Sequence, residues 1–256
     1  MSPVPKSSHP VPHGVRAVLV AAGEGTRMGQ RAGTRKPLLQ LLGRSLLEHA
    51  CAAFDACDAI SSLVIVAHPE DVQAVRSLAP KSPAFRKLHA VLAGGSERSD
   101  SVRLGCAESF KECSSQEPPF DLIAVHDAAR PLIQAADIQR AVEAAREYAA
   151  ALLAIPVRDT LKQSSDGLHA AGTLDRSGLW AAQTPQVFRA TELRACQARA
   201  LAEGLGVTDD AALWERYRGP IRLVEGRWDN LKVTRPADLG IAEALLQATQ
   251  THSGTP

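Results

Sequence analysis

Charge of a dominant sign is the first thing missing from this 256-residue sequence. Lys and Arg number 29 and Asp and Glu 28, for a net charge of +1. Such a chain has no long-range field favouring nucleic acid or an anionic membrane, so any anion site must be local. Long apolar runs are missing too: none approaches the ~18 residues a transmembrane helix needs. The five cysteines, Cys51, Cys57, Cys106, Cys113 and Cys196, are odd in number and form no C-x-x-C pair. That excludes neither a lone ligand nor a lone thiol, but it argues against a disulfide framework and a zinc site. Cys51 and Cys106 fall inside helical apolar patterns, as small core residues do. A reducing compartment, the cytoplasm, is the simplest expectation. Residues 1–14 are rich in Pro, Ser and His and lack an apolar h-region, so they do not read as a secretory signal. They are predicted to be a disordered lead-in, and residues 249–256 a disordered tail.

Two familiar phosphate loops are also absent. Ala17-Val18-Leu19-Val20-Ala21-Ala22 is a short apolar run of the kind that forms a buried strand. Gly23-Glu24-Gly25-Thr26-Arg27-Met28-Gly29 follows it. No Lys-Ser or Lys-Thr pair completes a Walker A loop. Met28 stands where the dinucleotide fingerprint G-x-G-x-x-G needs its third glycine, which counts against a dinucleotide-dependent oxidoreductase. What remains is a glycine-rich turn with Arg27 and Lys36 beside it. Backbone donors and two cations suit a polyphosphate. Taken alone, the segment fits a plain strand-to-helix turn with surface charges equally well.

Beyond this loop the chain alternates. Ser45 and Glu48 make a capping box for a helix to about Phe54. Strands are predicted at 63–66, 89–92, 122–125 and 151–155, and helices at 69–78, 101–110 and 137–150. Such alternation predicts a mainly parallel sheet with helices on both faces. Ligands of such sheets bind beyond the carboxyl ends of the strands. The Gly23 loop, Gly94-Gly95, Asp127 and Arg158 all fall at such ends. One segment departs from the alternation. Asp166-Gly167 within a polar cluster, between two extended stretches, predicts a projecting hairpin over 159–175. No linker marks a second domain, so a single domain is expected over 15–248.

The strand-end motifs together resemble a known family. They are Ala21-Ala22-Gly23-Glu24-Gly25-Thr26-Arg27-Met28, Gly94-Gly95-Ser96-Glu97-Arg98-Ser99-Asp100-Ser101-Val102 and Val125-His126-Asp127-Ala128-Ala129-Arg130-Pro131. Pro156-Val157-Arg158-Asp159-Thr160-Leu161-Lys162, Leu179-Trp180, Gln183-Thr184-Pro185-Gln186, Thr208-Asp209-Asp210-Ala211 and Asn230-Leu231-Lys232-Val233-Thr234 follow. In this order they resemble 2-C-methyl-D-erythritol 4-phosphate cytidylyltransferases of the non-mevalonate isoprenoid pathway. The resemblance implies a Rossmann-like nucleotidyltransferase domain and transfer of a cytidylyl group from CTP to that sugar-alcohol phosphate. The projecting hairpin has little of its own to bury, so it is expected to pack on another subunit and join a homodimer.

The resemblance also implies roles. Arg27 and Lys36 would stabilise the triphosphate and the transition state; Arg158 and Lys232 would hold and aim the acceptor phosphate. The CTP site would comprise Ala21, Ala22, Gly23, Gly25, Gly95, Ser96, Ser101 and Asp127. The acceptor site would comprise Asp127, Ala128, Arg130, Arg158, Thr160, Thr184 and Lys232, with Arg130 reaching across a dimer interface. Asp127 closes a buried strand, where a carboxylate needs a reason to be. It is expected to hold Mg2+ or another divalent cation, or else to cap the following turn. Asp229 is a secondary metal candidate. Ser101 is expected to cap its helix or to meet the cytosine edge. His126 reads as a core histidine, and Arg98 and Arg103 as solvated charges. One departure from the family stands out: Pro37 follows Lys36 where Gln is common. Two other readings remain, a ribitol-5-phosphate cytidylyltransferase of the same fold and a non-catalytic nucleotide sensor. Retention of the full cation set argues against the sensor.

Overall fold

Strict alternation along the first strand sets the architecture. In a computed structural model describing residues 14–23, 35–111 and 120–252, strand β1 (Gly14–Ala21) is buried on both faces. Ala17, Leu19 and Ala21 join one core cluster and Val18 the other. A strand apolar on both faces has to be covered by helices on both.

The chain then runs through a tight two-stranded turn, β2 (Gln40–Leu41) and β3 (Arg44–Ser45), into α1 (Leu46–Ala56). The expected capping box is present: the Glu48 amide donates to Ser45 Oγ at 3.2 Å, and the Ser45 amide to Glu48 Oε2 at 2.9 Å. Next come β4 (Ile60–Ala67), α2 (Val72–Leu78), β5 (Leu88–Ala93), α3 (Arg98–Glu108) and β6 (Phe120–Asp127). The helix predicted over 69–78 begins as a separate 3-10 turn at Pro69–Asp71. Then follow α4 (Ala135–Tyr148), β7 (Ala150–Pro156) and the small ladder of β8 (Lys162–Gln163) with β9 (Gly172–Thr173).

The alternation read from the sequence stops at that hairpin. Beyond it the structure adds β10 (Trp180–Arg189), α5 (Ala190–Ala202), α6 (Asp210–Arg218), β11 (Arg222–Glu225) and α7 (Pro236–His252). The main sheet has the order β11-β7-β10-β6-β1-β4-β5. β10 runs antiparallel to both its neighbours, and every other pairing is parallel. Helices α1, α2 and α4 cover one face, around Phe54, Ile138 and Val142. Helices α3, α5 and α6 cover the other, around Val102, Leu193 and Trp214.

Both termini differ from expectation. Gly14 is not part of a lead-in: it opens β1 and pairs with Phe120; residues 1–13 lie outside the described residues. The predicted tail begins inside α7, which continues to His252. Thr249 Oγ1 donates to the carbonyls of Leu245 and Leu246 at 2.8 and 3.0 Å. Leu239, Leu245 and Leu246 pack against Leu41, Leu46 and Val233, so the helix has a surface to lie on.

Candidate active site

The carboxyl ends of β1, β4, β5 and β6 converge on one cavity of about 610 Å3. Ala21, Ala22 and Gly23 line it from β1, His68 and Pro69 from β4, and Gly94, Gly95 and Ser96 from β5. Asp127 and Ala129 come from β6, Lys36 and Pro37 from the turn before β2, and Lys232 and Thr234 from the segment before α7. A hollow of about 720 Å3 between α4 and β11 is lined by none of these residues.

Local geometry explains the glycines. A Cβ on Gly94 would stand 2.4 Å from the Ala22 Cβ and 2.7 Å from Ser101 Oγ. On Gly95 it would stand 2.4 Å from the Asp100 Cβ. The turn after β5 is therefore pressed against the end of β1 and the first turn of α3. Ser101 does not cap its helix. The helix starts at Arg98, and Ser101 lies one turn inside, accepting from the Gly95 amide and donating to the Glu97 carbonyl, both at 3.2 Å. Lys36 opens a short 3-10 turn with Pro37 in its first positions. A proline suits that place, where its missing N–H is not needed.

Asp127 is the electrostatic centre of the cavity. Lys232 Nζ lies 2.6 Å from its Oδ2, and Arg98 Nε 3.1 Å from its Oδ1. Arg98 is not the solvated charge expected. Its Nη1 also reaches Asp210 Oδ2 at 2.9 Å, and both carboxylates are buried. Burial alone would raise the Asp127 pKa, but Arg98 and Lys232 outweigh it and hold the carboxyl well below the usual range. Burial likewise works against the charge of Arg98, yet Asp210 and Asp127 hold its pKa above the ordinary value. The result is an alternating chain of charges: Asp210, Arg98, Asp127, Lys232.

Behind Asp127 lies a buried polar layer. The Asp127 amide donates to Thr184 Oγ1 at 3.1 Å. Thr184 Oγ1 lies 3.0 Å from His126 Nδ1, and His126 Nε2 lies 3.2 Å from the Arg130 carbonyl. Since Thr184 accepts from Asp127, its own hydroxyl is free to donate to Nδ1, which leaves the proton on Nε2. His126 is fully buried, as expected of a core histidine, and burial pushes its pKa down to about 4.

Several predicted residues are not at the cavity wall. Thr184 is buried and supports Asp127 from behind, so it does not shape the pocket. Ala128 is fully buried, and its neighbour Ala129 lines the cavity instead. Arg130 turns inward, donating to the Asn230 carbonyl at 2.8 Å and the Ala182 carbonyl at 3.3 Å. Thr160 is exposed at the base of the arm. Arg158 is exposed as well, with its guanidinium 3.9 Å from the centre of the Trp228 ring. Asp229 is ion-paired with Arg227 and does not line the cavity. Arg27 and Gly25 lie outside the described residues. Asp210 was legible only as part of a motif with no assigned role.

A divalent cation fits this donor set in one way. Among the described residues no group of three His, Cys, Asp or Glu side chains is placed to hold a metal. Two carboxylate residues, Asp127 and Glu97, line the cavity; Asp127 is the buried, cation-paired one, and each of its oxygens keeps a second lone pair beside its cation. Magnesium needs one or two carboxylates when phosphate oxygens and waters complete its shell. The residues therefore fit an ion bound jointly with a triphosphate, with Asp127 and not Asp229 as the protein ligand.

Comparison with known proteins bears on which reaction this cavity serves. A family model described as 2-C-methyl-D-erythritol 4-phosphate cytidylyltransferase matches residues 15–248. The chain belongs to this family. Relatives of that name include one from Pelotomaculum thermopropionicum, 39% identical over 236 residues, 92% of this chain and 95% of the relative. Another, from Symbiobacterium thermophilum, is 41% identical over 234 residues, 91% and 93% of the two chains. A solved structure of that name from Thermus thermophilus has a TM-score of 0.71 at 31% identity, covering 90% of this chain and 98% of that one. A structure described as 4-diphosphocytidyl-2C-methyl-D-erythritol synthase has a TM-score of 0.74 at 32% identity, covering 91% and 99%. The protein is thus a nucleotidyltransferase of the Rossmann-like α/β class.

Proposed function

We propose that the chain transfers the cytidylyl group of CTP to 2-C-methyl-D-erythritol 4-phosphate in the cavity at the ends of β1, β4, β5 and β6. The products are 4-diphosphocytidyl-2-C-methyl-D-erythritol and pyrophosphate. An oxygen of the acceptor phosphate attacks the α-phosphorus, a P–O bond forms, and the bond to the bridging oxygen of the β-phosphate breaks. The step needs no covalent enzyme intermediate. It needs two anions held in line and the charge of the five-coordinate state neutralised.

The observation that carries this reading is the placement of Lys36, Lys232 and Asp127 on one cavity wall with the backbone of Ala21, Ala22, Gly23 and Gly95. Lys36, with Arg27, would neutralise charge on the triphosphate. Ser96, Ser101 and the Gly95 backbone, which line the same cavity, would meet the base or ribose. Lys232 and Arg158 would hold the acceptor phosphate. Asp127 would bind a magnesium ion, which supplies charge neutralisation on the nucleotide phosphates when bound. Asp127 is also the group that fixes Lys232, by the ion pair already described.

The enzyme would work as a homodimer joined through the arm. The unpaired cysteines of the described residues support a cytoplasmic setting. No helix of the described residues is long and apolar enough to cross a membrane. The decisive assay is pyrophosphate release. It should require CTP, the named acceptor and a divalent cation together. Equal rates with ATP, or with ribitol 5-phosphate as acceptor, would reject the substrate assignment.

A further inference from the structure

We infer that Arg35 is a positioning residue for Lys36: its ion pairs with Glu70 and Asp71 fix the segment from which the Lys36 side chain enters the cavity. The inference rests on the reading of Lys36 as a cation that neutralises charge on the triphosphate.

Two walls of the cavity meet at this point. Lys36 and Pro37 line it from the turn before β2, and His68 and Pro69 from the turn after β4. Arg35 directly precedes the first pair, and Glu70 and Asp71 directly follow the second. Arg35 Nη1 donates to Asp71 Oδ1 at 3.3 Å, and Arg35 Nη2 pairs with Glu70 Oε2. The planar guanidinium thus reaches two carboxylates at once, which sets its orientation as well as its distance. The Glu70 side chain is 72% exposed, and exposed pairs add little to folding. The importance of this one lies in its place. It joins segments 35 residues apart in the chain, next to a cavity-lining residue on each side.

The carboxylate side is well anchored. Ala67, the last residue of β4, pairs with Ala21 of β1 and Ala93 of β5. The 3-10 turn Pro69–Asp71 follows, closed by the Asp71 amide on the His68 carbonyl at 2.9 Å and the Glu70 amide on His68 Nδ1 at 3.3 Å. The lysine side is built differently. Arg35 stands at the N-cap of the 3-10 turn Lys36–Leu38 and makes no side-chain cap, because a guanidinium has no acceptor to offer the first amides. The far end of that turn is tied by the Leu39 amide on the Lys36 carbonyl at 3.1 Å and the Leu46 amide on the Leu39 carbonyl at 3.0 Å. The ion pairs anchor the near end in place of a cap. They reference Lys36 to the strand ends that bring Ala21 and Gly94 to the cavity. A lysine ammonium rides on a flexible four-carbon stem, so its reach depends on where its backbone is held. A misplacement of about 1 Å can cost ~10²-fold in rate.

Steady-state kinetics and thermal melts on the full-length enzyme test this, with Arg35→Ala, Arg35→Lys, Glu70→Gln/Asp71→Asn, Lys36→Ala and Lys36→Ala/Arg35→Ala beside the unaltered protein. Charge that acts in the transition state shows in kcat. Arg35→Ala should lower kcat by about ten-fold and change the acceptor KM by less than about two-fold, with an unaltered thermal midpoint. Arg35→Lys, which keeps a cation facing the two carboxylates, should recover most of the loss. Glu70→Gln/Asp71→Asn should lower kcat to the level of Arg35→Ala, although it removes negative charge from beside a polyanion site. Lys36→Ala/Arg35→Ala should be no slower than Lys36→Ala, because Arg35 acts only through the lysine. Near-normal kcat in Arg35→Ala, with Lys36→Ala impaired, overturns the role of Arg35 and leaves that of Lys36 intact. A loss in Arg35→Ala that Glu70→Gln/Asp71→Asn does not reproduce also overturns it, because Arg35 then serves the triphosphate by its own charge. So does a Lys36→Ala/Arg35→Ala variant slower than Lys36→Ala. Near-normal kcat in Lys36→Ala overturns both readings.

Discussion

Lys36 and Asp210 serve different physical ends, and their replacement should fail differently. Lys36 supplies charge that matters most when the five-coordinate phosphorus forms. Lys36→Ala should therefore lower kcat by ~10² or more with unchanged folding, as should Arg27→Ala; near-normal kcat in either variant would reduce that residue to a surface charge. Asp210 acts within the fold. Removing its charge by Asp210→Asn leaves the half-buried Arg98 with Asp127 as its sole ionic partner among the described residues. A loss of about 1–2 kcal/mol is expected in urea unfolding, since a charge-assisted hydrogen bond is weakened while Arg98 keeps Asp127. An unchanged midpoint would show that the pair contributes nothing. His126 bears on pH. Its folded pKa, about 4, lies below the ordinary 6.5, so between those values the unfolded chain binds the proton and the folded one does not. Stability should thus fall as pH drops from 6.5 to 4, by about 3 kcal/mol in all. Asp127, whose folded pKa is depressed, loses its contribution only below the ordinary carboxylate range, in a separate window. His126→Gln should flatten the slope between pH 4 and 6.5, as followed by thermal melts. Asp127 and Lys232 were legible because each sits in one of the motifs that carry the family resemblance, and Lys36 because it follows the glycine-rich turn as a nearby cation. Arg98 was misjudged because a charged residue among polar neighbours looks solvated until Asp210, distant in sequence, is brought against it.

Elements followed from the sequence wherever one local rule was strong. The capping box at Ser45 begins α1 where it was predicted, and Ser45→Ala should cost about 1 kcal/mol in denaturant unfolding; no change would mean that packing alone sets this helix. β10 was not legible. Pro185 interrupts it, a proline argues against a central strand, and the pairing with β7 shifts register between Ala182 and Gln186. A strand that lies antiparallel between β6 and β7 also breaks the strand–helix–strand rhythm on which the rest was read. The start of α3 was placed three residues late because Ser101 resembles a cap, whereas its hydroxyl serves the Gly95 turn. Inside α3, Gly105 looks like a helix weakness. A Cβ there would meet Val18 Cγ1 at 2.4 Å and Val66 Cγ2 at 2.9 Å. Valine side chains are stiff at χ1, so they cannot swing aside. Gly105→Ala should therefore destabilise by about 1–3 kcal/mol through overpacking, against the ~1 kcal/mol that helix propensity alone would favour. A stabilised variant would show that α3 can lift from the sheet at little cost.

The whole molecule has one part that its own core does not explain. Residues 158–182 are exposed almost throughout, including Leu168 at 84% and Leu174 at 45%. The arm pairs only Lys162 with Thr173 and Gln163 with Gly172. Its tip is organised locally: Asp166 accepts from the Leu168 and His169 amides, each at 2.8 Å, and Gly167 takes the left-handed backbone that the turn needs. A two-stranded ribbon of this kind is marginal alone in water. The sequence made the hairpin legible, through Asp166-Gly167, and among the described residues its apolar side chains Leu168 and Leu174 stay exposed. A second copy is the simplest cover, since a two-fold axis lets each arm clasp the other subunit by the same contacts. The arm begins directly after Arg158, and Trp180, at its return, pairs with Pro156 at the end of β7. Clasping would therefore steady the strand end that carries Arg158. Replacing Gln163–Gly172 by a short turn should shift the protein from dimer to monomer in sedimentation and raise the acceptor KM in the same variant. The core should be unaffected, so the thermal midpoint of the monomer should fall only by the lost association energy. An intact protein that sediments as a monomer at micromolar concentration while fully active would rule out the clasp. So would an arm-deleted protein that remains a dimer.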